Sequence, residues 1–158
     1  MEYGVEPYVG ADGKARCPWC YGSELYETYH DTEWGVPVHE DRVHFEFLVL
    51  EAFQAGLSWL TVLRKRERFR ERFAGFEPSA VASLSDAELE DIRQDPGVIR
   101  NKAKIRAART NARAFLDVCS KYGSFDRFIW SYVDGQPLIQ RPATLSEVPA
   151  TTPLSDRI

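Results

Sequence analysis

The sequence predicts an all-α fold, a single helical domain of about six or seven helices joined by short loops. Three observations lead to this prediction. Apolar residues recur at helical spacing in several segments, no segment alternates polar and apolar residues over more than a few positions, and Gly or Pro separates the helical segments. With 158 residues, 44% of them hydrophobic and 28% charged, the chain is long enough to bury one core.

The first predicted helix follows an irregular beginning. Residues 1–15 contain glycines and acids without periodicity, so we expect a loose N-terminal arm before a domain that spans residues 16–158. Helical spacing starts after Asp41, a candidate N-cap, and Gly56 is expected to end this helix. The apolar stripe of the helix consists of Phe45, Leu48, Val49 and Ala52.

Capping residues and periodicity predict the later helices. Ser58 is a candidate cap for one helix through "WLTVLRKRERFRERF", whose Arg, Lys and Glu residues should face solvent. Pro78 opens a short helix, and "SDAE" from Ser85 is a capping box for the next one. The Ala-rich "NKAKIRAARTNARAFLDVCSKYG" is the strongest helix prediction, and "SFDRFIWSYV" continues the helical pattern. After Asp134 we expect a Pro-rich connector with at most a short helical turn.

Charge and composition narrow the classes of function. A net charge of −4 argues against a protein that coats nucleic acid indiscriminately, although it leaves room for a local basic face. The sequence has no 18-residue apolar stretch and no charged leader, and its three cysteines do not form a disulfide framework. We therefore expect a cytoplasmic monomer that does not associate with membranes.

Glu51 is the first candidate for a functional residue. It lies between Leu50 and Ala52 in a predicted apolar helix, where a buried carboxylate is costly unless it is paired or required for function. One interpretation places Glu51 on a narrow exposed stripe with Glu46 and His44, or pairs it with a core arginine. The other interpretation makes it a buried acceptor in a ligand pocket.

Aromatic residues on both sides of Glu51 favour the pocket interpretation. Trp59 follows the expected helix end, and four more aromatic residues come from a segment that no helical period organises. These four are Trp19, Tyr26, Tyr29 and Trp34. Aromatic faces that converge on a carboxylate suit a planar, electron-poor or cationic ligand, and a purine base fits that description. The alternative is that the rings simply form core.

Cys17 and Cys20 form a C-x-x-C pair, with His30 further along the chain. Such a pair can bind zinc or undergo redox chemistry, but the second half of a four-ligand motif is missing at a suitable distance. A thioredoxin-like redox motif is not expected, because no βαβ pattern surrounds the pair.

Six segments of the chain carry a family resemblance when they are taken together. They are "RCPW", "YETYHDTEWG", "LEAFQAGLSW", "DPGVIRNKAKIRAARTNARAFL", "FIWSYV" and "ATLSEVPATTPLSD". Together they resemble the DNA-3-methyladenine glycosylase I family of the helix-hairpin-helix superfamily, over residues 16–158. The strings "YHDTEWG" and "LEAFQAGLSW" are the most specific. The resemblance implies the helix-hairpin-helix DNA glycosylase fold.

The resemblance also implies roles for the residues that would bind the base. Glu51 matches the catalytic acid that lines the base pocket and accepts hydrogen bonds from an extruded 3-methyladenine. Tyr29 matches a hydrogen-bonding tyrosine, and Trp59 matches a stacking tryptophan. The further pocket aromatics are Trp19, Tyr26 and Trp34.

Two other sites are implied by the same resemblance. The DNA-binding turn matches Gly56, Leu57 and Ser58, with Leu57 as the wedge that enters the space left by the base. A structural zinc would be bound by Cys17 and His30, whereas Cys20 has no role in the pattern. The remaining zinc ligands and the helix-hairpin-helix turn are expected beyond Ile158, so the domain is expected to be truncated relative to the family.

The implied function is base-excision repair by a monofunctional glycosylase. Such an enzyme flips 3-methyladenine out of alkylated double-stranded DNA, hydrolyses its N-glycosidic bond and releases the free base. Two alternatives remain at this level. One is a catalytically silent base- or nucleotide-binding helical domain, and the other is a structural helical protein with a Cys/His metal clip.

Overall fold

The computed structural model describes residues 7–140 and 147–158. Within these residues the chain forms eight α-helices and a single two-stranded sheet, so the all-α prediction is confirmed. No helix in this part of the chain is both long enough and apolar enough to span a bilayer. The parts of the predicted arm at residues 1–6 and of the predicted connector at 141–146 lie outside the described residues.

The chain divides into two compact units. One is drawn from residues 1–37 and 132–158, and the other consists of residues 38–131. The single domain expected over residues 16–158 stays a prediction.

In its described residues, the smaller unit contains a β-hairpin and one α-helix. Strand β1 (Tyr8–Val9) pairs antiparallel with β2 (Ala15–Arg16), and a 3₁₀ turn at Pro18–Cys20 leads to α1 (Glu24–Thr32). The hairpin differs from the loose arm expected before residue 16. Two strands of two residues are too short to show an alternating pattern, so periodicity could not have indicated them.

All the regular secondary structure of the larger unit is helical. Its elements are α2 (Asp41–Gln54), α3 (Trp59–Leu63), α4 (Arg66–Arg72), α5 (Pro78–Ser83), α6 (Asp86–Gln94), α7 (Lys102–Tyr122) and α8 (Phe125–Trp130). The predicted caps at Ser58 and Ser85 are confirmed, because each side chain accepts a hydrogen bond from a backbone N–H in the first turn of its helix. The long helix predicted from the Ala-rich segment is α7.

The helix predicted through "WLTVLRKRERFRERF" is divided into α3 and α4. The division falls at Arg64 and Lys65, where the backbone N–H of Lys65 donates to the carbonyl of Val62 in a tighter turn. The Lys65 ammonium donates to the carbonyl of Pro96, 2.8 Å away. This contact reaches a carbonyl 31 residues further along the chain, so the local pattern could not predict it.

Asp41 does not cap its own helix. It is the first residue of α2, and its carboxylate accepts hydrogen bonds from the backbone N–H groups of Phe125 at 3.0 Å and Asp126 at 2.8 Å. Those two N–H groups belong to the first turn of α8, where the backbone donors lack helical partners. Asp41 therefore joins the beginning of α2 to the beginning of α8.

The core of the larger unit is rich in phenylalanine. The rings of Phe53 and Phe69 meet edge to face with centroids 4.7 Å apart, and Phe115 stacks on Phe125 at 4.5 Å. The buried face of α7 consists of Ile105, Ala108, Ala112 and Phe115. This core supports α2, on which the first candidate functional residue lies.

Candidate functional site

Glu51 lies in the last turn of α2, four residues after Phe47 and on the same face of the helix. Of the two interpretations of Glu51, the structure shows an exposed side chain rather than a buried one. The protein atoms around its carboxyl group nevertheless withhold part of the surrounding water, and this desolvation raises the pKa of Glu51 above its ordinary value of 4.5. Glu51 is therefore a carboxyl group that solvent and ligands can reach but that water hydrates incompletely.

An aromatic stack lies beside this face of α2. Trp59, the first residue of α3, is buried, and its ring lies 6.2 Å from that of Phe47 at an interplanar angle of 27°. The guanidinium carbon of Arg66 lies 5.0 Å from the centroid of the Phe47 ring, within cation–π range. Phe47, one helical turn before Glu51, therefore contacts both Trp59 and Arg66.

The buried acid of α2 is Glu46, which the sequence interpretation had placed on an exposed stripe. Glu46 is 1% exposed, and its Oε1 accepts hydrogen bonds from the Nε atoms of Arg66 at 2.6 Å and Arg70 at 2.8 Å. One signal was available: Arg66 precedes the buried Phe69 by three residues, which places it on the inward stripe of α4. The expectation that all the charges of this segment face solvent was therefore wrong for Arg66.

The segment after α2 is a tight turn. Ala55 has φ −46° and ψ 114°, Gly56 has φ +81°, and the N–H of Leu57 donates to the carbonyl of Gln54. These are the features of a type II turn, which places glycine where φ is positive. Leu57 is 41% exposed, and Ser58 caps α3. The predicted DNA-binding residues therefore form one exposed turn directly after the helix that carries Glu51.

The four aromatic residues predicted from the irregular segment lie together in the smaller unit. The Trp19 ring lies 4.8 Å from that of Tyr26, 6.4 Å from that of Tyr29 and 5.3 Å from that of Trp34. Tyr29 is buried, whereas Trp34 is 51% exposed. His30 stacks on Trp34 at 5.3 Å. Tyr26 and Tyr29 belong to α1, and Trp34 follows shortly after its end. Trp19 belongs to the 3₁₀ turn that precedes α1.

Arginine 16 joins the hairpin of the smaller unit to α1. Its guanidinium donates to both carboxylate oxygens of Asp12 and to both of Asp31. These bonds hold the pKa values of the Asp12 and Asp31 carboxyl groups well below their usual range. His30 also contacts Asp31, with its Nδ1 3.0 Å from the carboxylate.

The predicted zinc ligands are neighbours but do not complete a site. The backbone N–H of Cys17 donates to Nε2 of His30 at 3.3 Å, and the Cys20 thiol donates to the carbonyl of Cys17 at 3.1 Å. Burial raises the pKa of the thiol of Cys20, the cysteine that has no role in the zinc pattern. Across residues 7–140 and 147–158, no three His, Cys, Asp or Glu side chains are grouped so as to hold a metal ion. A closed zinc site needs four ligands, so zinc binding stays a prediction.

Comparison with known proteins connects these features to one family. A sequence model of the family described as methyladenine glycosylase matches residues 19–158. The chain is 45% identical over 143 residues to DNA-3-methyladenine glycosylase 1 of Escherichia coli (strain K12), covering 90% of this chain and 76% of that protein.

Solved structures agree with the sequence comparison. A crystal structure of 3-methyladenine DNA glycosylase I is similar with a TM-score of 0.83 at 46% identity, over 90% of this chain and 78% of that one. The 3-methyladenine DNA glycosylase I of Staphylococcus aureus, solved to explain its recognition of 3-methyladenine, gives a TM-score of 0.84 at 33% identity, over 88% of this chain and 74% of that one. The fold implied by the sequence resemblance is therefore confirmed.

Proposed function

Because the chain belongs to the methyladenine glycosylase family, we propose that it hydrolyses the N-glycosidic bond of 3-methyladenine in alkylated double-stranded DNA and releases the free base. The observation that carries this proposal is the setting of Glu51. Its incompletely hydrated carboxyl group lies one helical turn from Phe47, whose ring stacks beside Trp59. A carboxylate next to stacked aromatic rings suits a flat, positively charged ligand.

Charge distinguishes the damaged base from the normal one. Methylation at N3 gives adenine a positive charge while it is joined to the sugar, whereas normal adenine is neutral. Glu51 would attract that charge and accept a hydrogen bond from the base, and the Trp59 ring would stack on it. On the basis of the family resemblance, we also assign base contacts to four aromatic residues of the smaller unit. They are Trp19, Tyr26, Tyr29 and Trp34.

The reaction needs little covalent help from the protein. The bond between the sugar C1′ and N9 breaks, its electron pair moves to N9 and the released base becomes neutral. Water adds to C1′ and loses a proton to solvent. Positive charge develops on the sugar before water adds, and a preorganised carboxylate such as Glu51 stabilises it.

Access to the bond requires that the base leave the helix, at a cost of about a few kcal/mol. A damaged base leaves more easily than a normal one, which adds selectivity. The exposed turn at Gly56, Leu57 and Ser58 is suited to enter the duplex, with the Leu57 side chain replacing the lost stacking.

The direct test is release of 3-methyladenine from methylated duplex DNA by the wild type and by Glu51→Gln. Loss of the carboxylate should lower the release rate by about 100-fold, the effect typical of one preorganised electrostatic group. Glu77→Gln, which changes an exposed acid before α5, is the matched control and should leave the rate unchanged. Equal release by wild type and Glu51→Gln would refute the role of Glu51.

A binding measurement separates the enzyme from a silent base-binding domain. Free 3-methyladenine should quench tryptophan fluorescence, and Trp59→Phe should remove most of the change. Trp130→Phe is the control, because the Trp130 indole donates to the carbonyl of Val38 and stacks on His39. Quenching without any release from DNA would favour the silent domain instead.

A further inference from the structure

Lysine 104 makes a contact that its own helix does not require. Its ammonium donates to the carbonyl of Phe53 at 2.9 Å and to the carbonyl of Ala55 at 2.6 Å. Phe53 belongs to the last turn of α2, and Ala55 is the first residue of the turn that follows. Lys104 lies in α7, 49 residues further along the chain than Ala55.

The charge of Lys104 is unfavourable for α7 and favourable for α2. Lys104 is in the first turn of α7, which contains no acid, and the N-terminal end of a helix carries partial positive charge that repels cations. At the C-terminal end of α2 the partial charge is negative and the last carbonyls have no helical partners. The position of this lysine is therefore explained by what it does for α2.

The backbone of Lys104 is held by a hydrogen bond within its own helix. The side-chain oxygen of Asn101, the N-cap of α7, accepts a hydrogen bond from the backbone N–H of Lys104 at 3.1 Å. The lysine backbone is thus held by a cap at the beginning of a 21-residue helix, and its ammonium extends to the end of α2.

The turn formed by Gly56, Leu57 and Ser58, which follows these two carbonyls, is exposed to solvent. Gly56, Leu57 and Ser58 are exposed, and a Cβ placed on Gly56 would meet no atom within 4 Å. A turn that enters DNA must resist displacement while the base is forced out of the stack, so its backbone needs anchors behind it.

We propose that Lys104 is a positioning residue that anchors the Gly56–Ser58 turn through the carbonyls of Phe53 and Ala55, and so sets the rate at which the base is extruded and released. This inference rests on the proposed glycosylase function. Lys104 acts on the backbone, because both of the oxygens to which its ammonium donates are main-chain carbonyls.

Three variants test the proposal. Lys104→Met keeps the stem and removes the donors, and Lys104→Arg restores donors of another shape. Lys102→Met is the matched control, since Lys102 is an exposed lysine in the same turn of α7 and its loss changes the net charge equally. Each variant is measured for single-turnover release of 3-methyladenine, affinity for the free base and amide hydrogen exchange at Leu57.

Lys104→Met should lower the single-turnover rate by about tenfold, since a small displacement of a positioning group can cost that much or more. Its affinity for free 3-methyladenine should stay within about twofold, because the Trp59 ring is held by its burial and by its stacking on Phe47. Exchange at Leu57 should accelerate in Lys104→Met but not in Lys102→Met. Lys104→Arg should recover most of both losses.

Each outcome bears on a different claim. A wild-type chain that releases no base overturns the proposed function, whereas release by the wild type with equal rates for Lys104→Met and Lys102→Met overturns only the role of Lys104. If Lys104→Met does not fold, Lys104→Arg takes its place: a release rate and an exchange rate at Leu57 that change together support the anchor, and slow release with wild-type exchange at Leu57 overturns it. Unchanged exchange at Leu57 in a folded Lys104→Met also overturns the anchor.

Discussion

Two glutamates of α2, five residues apart, have opposite environments. Glu46 is enclosed and neutralised by two arginines, whereas Glu51 is exposed at the end of the helix beside an aromatic stack. The local sequence around each is equally apolar. The difference arises from α4, which covers Glu46 with Arg66 and Arg70 and leaves Glu51 accessible.

The raised pKa of Glu51 predicts that the rate of base release, plotted against pH, falls on the acid side (the acid limb). The carboxyl group should become neutral at a higher pH than an ordinary glutamate, whose pKa is 4.5. Release of 3-methyladenine should therefore fall as the pH is lowered through a midpoint above that value. Glu51→Gln should show no such limb. A wild-type profile with its midpoint at or below the ordinary value would contradict the assigned environment.

The same shift predicts how stability depends on pH. A carboxyl group whose pKa is higher in the folded state than in the unfolded state favours folding when protonated, and this contribution is lost as the pH rises through the folded pKa. Glu51→Gln should therefore raise the melting temperature at pH 7, with the difference shrinking at pH values below the ordinary pKa. Thermal unfolding followed by circular dichroism measures this. A variant that is less stable than wild type at neutral pH would be inconsistent with the desolvation of Glu51.

Removal of Glu46 should be strongly destabilising, because it takes away a buried carboxylate to which the Arg66 guanidinium donates. We expect Glu46→Ala to lower the free energy of unfolding by about 3–5 kcal/mol. Glu67→Ala removes the exposed partner of Arg70 and should cost less than about 1 kcal/mol. Urea unfolding of both variants gives the comparison, and similar costs would show that the pair at Glu46 is not buried in solution.

Local sequence patterns predicted the helices, whereas some helix ends make contacts with residues that are distant in the sequence. The Ala-rich periodic segment predicted α7, and the Ser85 side chain predicted the beginning of α6, because both signals lie within a few residues. At the break between α3 and α4, Lys65 donates to the carbonyl of Pro96, and in the last turn of α2 the carbonyl of Phe53 accepts a hydrogen bond from Lys104. Single-sequence patterns do not contain such contacts.

Asp41 offers a test of one such contact between elements. Asp41→Ala removes the acceptor for two N–H groups at the beginning of α8, and the expected loss is about 1–2 kcal/mol in the free energy of unfolding. Asp117→Ala changes an exposed acid of α7 and should be nearly neutral. Chemical denaturation separates the two cases. Equal stability of both variants would mean that the Asp41 cap contributes nothing.

The candidate site could be predicted only in part from chemistry alone. Helical spacing drew attention to Glu51, and the absence of spacing drew attention to Trp19 and Trp34, but neither observation identified a base. The family resemblance indicated which ligand to expect. The family is identified from the string "LEAFQAGLSW" as a whole rather than from any one residue. The Glu46 network was missed because its partners lie 20 and 24 residues away.

For the whole molecule, both units carry residues that the resemblance assigns to one activity. The larger unit contributes Glu51, Trp59 and the exposed turn, and the smaller unit contributes its cluster of aromatic residues. The proposed function therefore predicts that substitutions at these residues in either unit lower the release of the base.

The most direct measurement is chromatographic analysis of the bases that the wild-type chain releases from methylated duplex DNA. We predict that free 3-methyladenine appears faster than in the absence of protein, that normal adenine stays in the DNA, and that Glu51→Gln reduces the release by about 100-fold. Spontaneous rates of 3-methyladenine release in the presence of the folded wild-type chain would contradict the account.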